Sequence, residues 1–106
     1  MARIMQGTTP SVTIHISPDD FLLSNVTRME LYVKNGSNIT KYMADDLDID
    51  IIENTITKTF SEAETAALDP KKNVIIQGRF WLGNAIVGIN KISYGVGDMM
   101  GVGADG

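Results

Sequence analysis

Residues 74–94 read VIIQGRFWLGNAIVGINKISY, and this stretch decides the fold. Its first nine residues, Val74–Leu82, are the most apolar strand-like segment of the chain, which predicts a strand at the centre of a sheet. Gly83 and Asn84 then supply a two-residue turn of the type that closes a β-hairpin. Residues 85–94 are expected to return as the paired strand. The stretch therefore predicts a hairpin built on a central strand.

The segments before this stretch show the period of two that is typical of half-buried strands. In residues 11–16, valine and isoleucine alternate with serine, threonine and histidine. Residues 26–34 repeat the pattern, with methionine, leucine and valine on one face and Arg28, Glu30 and Tyr32 on the other. Residues 35–38, NGSN, predict a tight hairpin turn because Asn-Gly tolerates the positive φ angles that such turns require. Residues 39–43 then form the return strand.

Two more short strands are expected before the pattern changes. Residues 47–51 should turn Leu47, Ile49 and Ile51 inward and two aspartates outward, and residues 55–60 should follow as the next strand.

The period of two is interrupted once, at residues 61–69, SEAETAALD. Ser61 and Glu64 form the pattern of a capping box, which satisfies two free amides at the start of a helix. Pro70 stops the helix after about two turns.

The predicted fold is all-β, with about seven short strands and one short helix before the penultimate strand. Strands separated by turns at this interval indicate a sandwich or a barrel. We expect an immunoglobulin-like β-sandwich, and a small open β-barrel is the alternative. The expected core consists of the inward residues of each strand: Val12, Ile14, Ile16, Met29, Leu31, Val33, Ile56, Val74, Ile76 and Phe80.

Composition limits the possible functions. The chain has 106 residues, which indicates one domain, and a net charge of −4, which disfavours binding to the phosphates of nucleic acids. It has no cysteine, so disulfides and thiolate metal sites are excluded. The longest apolar runs are far shorter than the ~20 residues of a membrane span. We therefore expect no nucleic-acid partner and no membrane partner.

Few residues suggest catalysis or metal binding. His15 is the only histidine and has no neighbouring motif that would make it a general base. Residues 45–50, DDLDID, carry four aspartates but lack the glycine and the distal glutamate of a calcium loop. The glycines of residues 95–101 do not have dinucleotide-loop spacing. We predict a protein that is not an enzyme, with no catalytic, cofactor-binding or metal-binding residues.

Three aromatic residues are candidates for partner contacts. Tyr32 and Tyr42 are expected to lie across from each other on an outer face, and Trp81 shares its face with Gln77 and Arg79. Exposed rings of this kind stack on sugars or bind protein partners. The pattern favours an assembly contact over a carbohydrate-binding or surface-binding module, which remains the alternative function.

The order of motifs along the chain resembles one family. A Gly-Thr-Thr-Pro start at residues 7–10 leads into the first strand. The hairpin pair of residues 26–43 follows, then the helical turn of residues 61–65 and the Ile-Gln-x-Arg-like strand at residues 76–79. From Gly7 to Val96 the chain is similar to small phage and prophage tail-region proteins, and looks like the N-terminal immunoglobulin-like domain of phage upper baseplate proteins.

That resemblance implies a non-enzymatic structural or assembly protein of a phage or prophage tail or baseplate. It implies other tail and baseplate proteins as partners, with weak homo-oligomerisation as a further expectation. It also implies a location in the bacterial host cytoplasm during assembly and in the virion tail afterwards.

The ends of the chain are expected to differ from the domain between them. Residues 1–96 are predicted as one domain that begins with an N-terminal arm, residues 1–6, and residues 97–106 as a flexible tail rich in glycine and methionine. Apolar residues at both ends are candidates for partner contacts alongside the three aromatics: Ile4, Met5, Met99 and Met100.

Overall fold

The computed structural model describes residues 3–97 of the chain. Within that range it contains nine strands and one α-helix. In chain order they are β1 (Arg3–Met5), β2 (Ser11–His15), β3 (Arg28–Asn35), β4 (Asn38–Met43), β5 (Asp48–Asp50), β6 (Thr55–Thr59), α1 (Glu62–Ala66), β7 (Val74–Leu82), β8 (Ala85–Gly88) and β9 (Ile92–Gly97). Two short 3₁₀ turns lie at Leu23–Asn25 and Ala44–Asp46.

The strands form two sheets. The larger sheet has the order β1-β9-β7-β3-β4, and β8 also pairs with β7. The smaller sheet has the order β2-β6-β5. The predicted all-β sandwich is therefore confirmed. The alternative of a small open barrel is wrong, because the two sheets do not close on each other.

Strand β7 occupies the centre of the larger sheet, as its apolar sequence predicts. It pairs antiparallel with β3 along its length, from Arg28 opposite Trp81 to Asn35 opposite Val74. On its other side it pairs with β8 and then with β9. Gly78 does not interrupt the strand. A Cβ at this position would lie 2.8 Å from the ring of Phe80, so glycine leaves the space in which that ring lies.

The core lies between the two sheets, and all ten predicted core residues are buried. The core contains four further buried apolar residues: Ile4, Leu23, Phe60 and Val96. The loop before β3 closes one end of the core with Leu23 and with Phe21, whose ring centroid lies 5.0 Å from that of Phe80.

The predicted turns and the helix start are also found. Gly36 (φ 64°) in the β3–β4 turn and Gly83 (φ 62°) in the β7–β8 turn adopt the left-handed conformation that favours glycine. At α1, the Ser61 hydroxyl accepts a hydrogen bond from the Glu64 amide, and the Glu64 carboxylate accepts one from the Ser61 amide. The capping box is therefore confirmed.

The return path after β7 is two strands rather than one. Arg79 lies opposite Gly88 in β8, whereas Ile76 lies opposite Ile92 in β9, so the return path gains one residue relative to β7. This extra residue is a β-bulge. It reverses the alternation, and as a result Ile92, Tyr94 and Val96 face inward.

Because the return path is two strands, three strands follow the helix: β7, β8 and β9. The expectation that the helix precedes the penultimate strand is therefore wrong.

The predicted N-terminal arm is also wrong for residues 3–5. They form β1, which pairs in parallel with β9 and places Ile4 opposite Val96. Ile4 is 1% exposed and lies in the core. Pairing satisfies backbone groups at the edge of β9 that would otherwise be free, which is the physical reason that this short segment is a strand. Gly97 belongs to β9, so the domain extends one residue beyond the predicted boundary. The rest of the predicted tail, residues 98–106, lies outside the described residues.

Strand β5 differs from its prediction as well. Ile49 lies opposite the buried Ile56 and so faces inward as expected, but it is 36% exposed. Ile51, which was also expected to face inward, follows the end of the strand and is 58% exposed. The strand has only three residues and lies at the edge of the smaller sheet, so one of its sides has no neighbouring strand to cover it.

Substitution of Ile76 tests the position of the core. Ile76 has no exposed surface, so Ile76→Ala should lower the free energy of unfolding by about 2–5 kcal/mol. The matched control is Ile52→Ala, which removes the same atoms from a residue that is 94% exposed and should cost less than about 0.5 kcal/mol. Urea denaturation of both variants measures the difference. Equal losses in the two would contradict the inward position of Ile76.

Candidate functional site: the outer face of the larger sheet

The outer face of the larger sheet carries a concentration of positive charge. Strand register places alternate residues of β1, β3, β4 and β7 on this side, away from the core. Counted over residues 3–97, the face holds five cations and one carboxylate: Arg3, Arg28, Lys34, Lys41, Arg79 and Glu30. It also holds Tyr32, Gln77, Trp81 and Ile86. We call this surface the cationic face.

Glu30 is the centre of this face and is only 2% exposed. One of its carboxylate oxygens accepts a hydrogen bond from Arg28 Nη2 at 2.8 Å. The other accepts one from Arg79 Nη2 at 2.9 Å and another from the hydroxyl of Tyr32. The ammonium of Lys41 lies 3.7 Å away. A buried carboxylate is strongly unfavourable without such partners, and here they come from three adjacent strands.

These contacts keep Glu30 ionised. They lower its pKa to about 2 from the usual 4.5. The hydrogen bond from Tyr32 contributes most and the one from Arg79 next, and together with Arg28 and Lys41 they outweigh the effect of burial, which raises the pKa. The same contact raises the pKa of the Tyr32 hydroxyl, because the neighbouring carboxylate disfavours a second negative charge.

The two arginines that bind Glu30 also lie against Trp81. The guanidinium carbons of Arg28 and Arg79 are 4.7 Å and 4.8 Å from the centroid of its ring system. Cations at this distance from an aromatic face are attracted by it. Glu30 and Trp81 thus hold both guanidiniums in place, while about half of each arginine side chain remains exposed. Ile86, opposite Trp81 on β8, is 58% exposed and extends the face with an apolar contact point.

A shallow depression of about 330 Å³ lies beside this cluster. It is lined by Tyr32, Gln77 and Arg79 together with Gly78 and Gly88. Because Gly88 has no side chain, the backbone itself forms part of the lining. The depression offers hydroxyl, amide and guanidinium groups next to an aromatic ring, a combination that suits a polar ligand or a polar side chain of a partner.

Tyr42 does not lie on the cationic face, so the expected pairing of Tyr32 with Tyr42 is wrong. Tyr32 is opposite Lys41, and Tyr42 is opposite Leu31 on the inner side. The Tyr42 hydroxyl donates a hydrogen bond to Glu64, and the buried ammonium of Lys58 lies 4.0 Å from the centroid of its ring. Burial, followed by the contact with Glu64, raises the pKa of Tyr42. This residue connects β4 to α1 and β6, which is a structural role.

The remaining predicted contact residues are placed as follows. Trp81 is half-buried on the cationic face, Met5 is 36% exposed on β1, and Ile4 is buried in the core. Since Ile4 packs against the core, it is unsuited to a partner contact. Met99 and Met100 lie outside residues 3–97.

His15 is exposed at the end of β2 and lines a groove of about 510 Å³ between β2 and the segment after β8. The side chains beside His15 in the groove include the aliphatic residues Ile14, Ile16 and Ile89. No group of three or more His, Asp or Glu side chains in residues 3–97 is arranged to hold one metal ion.

Sequence reasoning missed Glu30 and the charge of its face. The alternation in β3 correctly placed Arg28, Glu30 and Tyr32 on one side, and the parity of β7 placed Gln77, Arg79 and Trp81 together. The missing step was the register between β3 and β7, which brings these two sets into contact.

The chain matches no protein-family model, and no curated protein matches it significantly. Within residues 3–97, every helix is too short and too polar to cross a bilayer.

Acid titration of stability tests the role of Glu30. Because its folded-state pKa is lowered, ionised Glu30 stabilises the fold above about pH 4.5, and this contribution is lost as the pH falls towards 2. Glu30→Gln removes the charge. The difference in free energy of unfolding between parent and variant should therefore be largest at neutral pH and shrink between pH 4.5 and pH 2.

Urea denaturation at a series of pH values measures this difference. The matched control is Glu53→Gln, which changes an exposed carboxylate and should alter stability little at any pH. A difference between parent and Glu30→Gln that stays constant from pH 7 to pH 2 would contradict a stabilising charge at Glu30.

Proposed function

We propose that this protein is a non-enzymatic structural or assembly protein that acts through protein–protein contacts in the tail or baseplate of a phage or prophage. The observation that carries the association role is the cluster on the cationic face. Two half-exposed arginines are held against Trp81 by the buried carboxylate of Glu30, and Ile86 is exposed beside them.

The composition of this cluster supports a protein-binding role. Tryptophan and arginine are enriched among the residues that contribute most to protein interfaces. Side chains that are already held in place lose less conformational entropy on binding than free ones. Glu30 holds Arg28 and Arg79 by hydrogen bonds, and their exposed halves remain available to a partner.

The phage assignment rests on the sequence resemblance. The motifs of residues 7–10, 26–43, 61–65 and 76–79 resemble, in their order, those of the phage upper baseplate domain. An all-β sandwich agrees with the fold that this resemblance implies. Under this proposal the chain is made in the host cytoplasm, binds other tail or baseplate proteins there, and is carried in the virion tail.

Carbohydrate or surface binding is the second candidate function. The depression beside Tyr32, Gln77 and Arg79 favours it, because polar groups next to an aromatic ring suit a sugar. The candidate loses part of its basis because Tyr42 lies on the inner side of β4, away from Tyr32. Association with proteins therefore remains the better-supported proposal.

Fractionation of particles tests the phage assignment. Particles from the host that carries this gene would be purified, separated into tail and capsid fractions, and analysed by mass spectrometry. Peptides of this chain should be enriched in the tail fraction. Peptides found only among unassembled cytoplasmic proteins, or in the capsid fraction, would contradict the assignment.

Sugar titration separates the two candidate functions. Calorimetric titration with glucose, galactose, rhamnose and N-acetylglucosamine, and with short oligomers of each, should give no saturable heat if the face binds proteins. The control variant is Trp81→Ala, which removes the ring from the face. Saturable binding that this variant loses would favour the carbohydrate-binding module.

A further inference from the structure

Charge is distributed unevenly over this molecule. Within residues 3–97, five of the nine lysines and arginines lie on the cationic face, together with only one of the eleven aspartates and glutamates. The face therefore carries four net positive charges. Because residues 3–97 have nine cationic and eleven acidic side chains, the rest of this range carries six net negative charges.

A large part of that negative charge lies in one segment, residues 45–53, which we call the acidic lobe. It contains five carboxylates and no lysine or arginine. All five acidic residues are exposed: Asp45, Asp46, Asp48, Asp50 and Glu53.

The acidic lobe also exposes aliphatic side chains. Ile49, Ile51 and Ile52 are 36%, 58% and 94% exposed. Adjacent isoleucines with this exposure leave apolar area in water, and contiguous apolar area at a surface is a common mark of a protein-binding site.

We propose that the cationic face of one copy of this chain binds the acidic lobe of a second copy. This inference rests on the proposed assembly function and names one partner for it. The two surfaces are complementary in charge, since one carries cations and the other carboxylates. They are complementary in apolar character as well, because Trp81 and Ile86 can cover Ile51 and Ile52.

A contact between two different surfaces of the same chain is heterologous. Such contacts leave one free cationic face and one free acidic lobe at the ends of each pair, and repetition of the contact builds a ring or a filament. The exposed arginines then bind carboxylates of the neighbour while Glu30 continues to hold them from below. Arginine is suited to this double role because its guanidinium has five N–H donors.

Nucleic acid is a weaker match for the same face. It offers phosphates to the arginines, but the phosphates also meet the six net negative charges on the rest of residues 3–97. Its apolar groups, such as the thymine methyls, lie in the grooves rather than beside the phosphates that would bind the arginines. A second copy satisfies both the charged and the apolar residues of the face.

The test uses two variants of the full chain, each altered on one surface only. The face variant is Ile86→Asp, which places a carboxylate beside Trp81. The lobe variant is Asp48→Lys with Ile52→Lys, which reverses charge and removes apolar area. All three residues are exposed, so both variants should fold, and circular dichroism and melting check this. If a surface variant does not fold, Lys41→Gln replaces the face variant and Asp45→Lys replaces the lobe variant.

Matched controls make the same chemical changes elsewhere. Leu22→Asp alters an exposed aliphatic residue in the loop between β2 and β3, outside both surfaces. Asp20→Lys reverses an exposed aspartate in the loop after β2.

Sedimentation velocity at high micromolar concentration gives the result. The parent chain should self-associate, and each surface variant should associate about tenfold or more weakly. The two controls should behave like the parent. An equal mixture of the two surface variants should form a complex about as tight as one parent contact, because each variant supplies the surface that the other lacks.

Several results would overturn the inference. They are a parent chain that remains monomeric, a loss of association in only one of the two surface variants, and a mixture that fails to associate. Displacement of the second copy by a short DNA duplex at physiological salt would assign the face to nucleic acid instead. Particle fractionation is independent of all these results, so failure of self-association and failure of the phage assignment can be told apart.

Discussion

The buried carboxylate of Glu30 is the interaction on which the outer face of this protein depends. Its two oxygens accept hydrogen bonds from side chains on β3 and β7, and the ammonium of Lys41 on β4 lies close by. A carboxylate with 2% exposure requires such partners, since an unpaired buried charge is strongly destabilising. The same partners are the groups that a binding protein would contact. Stability of the sheet and arrangement of the candidate site therefore depend on one residue.

The two sides of the larger sheet have separate roles because alternation along each strand divides them. Inward residues such as Leu31, Ile76 and Phe80 pack against the smaller sheet and supply the apolar burial that holds the sandwich together. Outward residues form the cationic face. The acidic lobe extends from the edge of the smaller sheet, where the three-residue strand β5 leaves isoleucines exposed. A molecule with unlike surfaces of this kind is suited to head-to-tail contacts.

Local patterns in the sequence predicted most of the inner architecture and little of the candidate site. The core positions, the turns at Gly36 and Gly83 and the capping box at Ser61 depend on residues close in sequence, so alternation and turn chemistry were sufficient. Glu30 depends on Arg79, which is 49 positions away, through a strand register that no local pattern specifies. The inner position of Tyr42 depends on register in the same way. The pairing of β1 with β9 was missed because it depends on contacts with a strand distant in sequence. The bulge after β8 was missed because it depends on one extra residue in the return path.

Direct titration of Glu30 tests the central claim of this account. The side-chain carboxyl carbon of Glu30 can be followed by nuclear magnetic resonance as the pH is lowered, and Glu30→Gln assigns the signal. An ionised carboxylate held by Tyr32, Arg79 and Arg28 should titrate with a pKa of about 2. A pKa near the usual 4.5 would show that these contacts do not hold the carboxylate in solution, and it would remove the basis for a preformed cationic face.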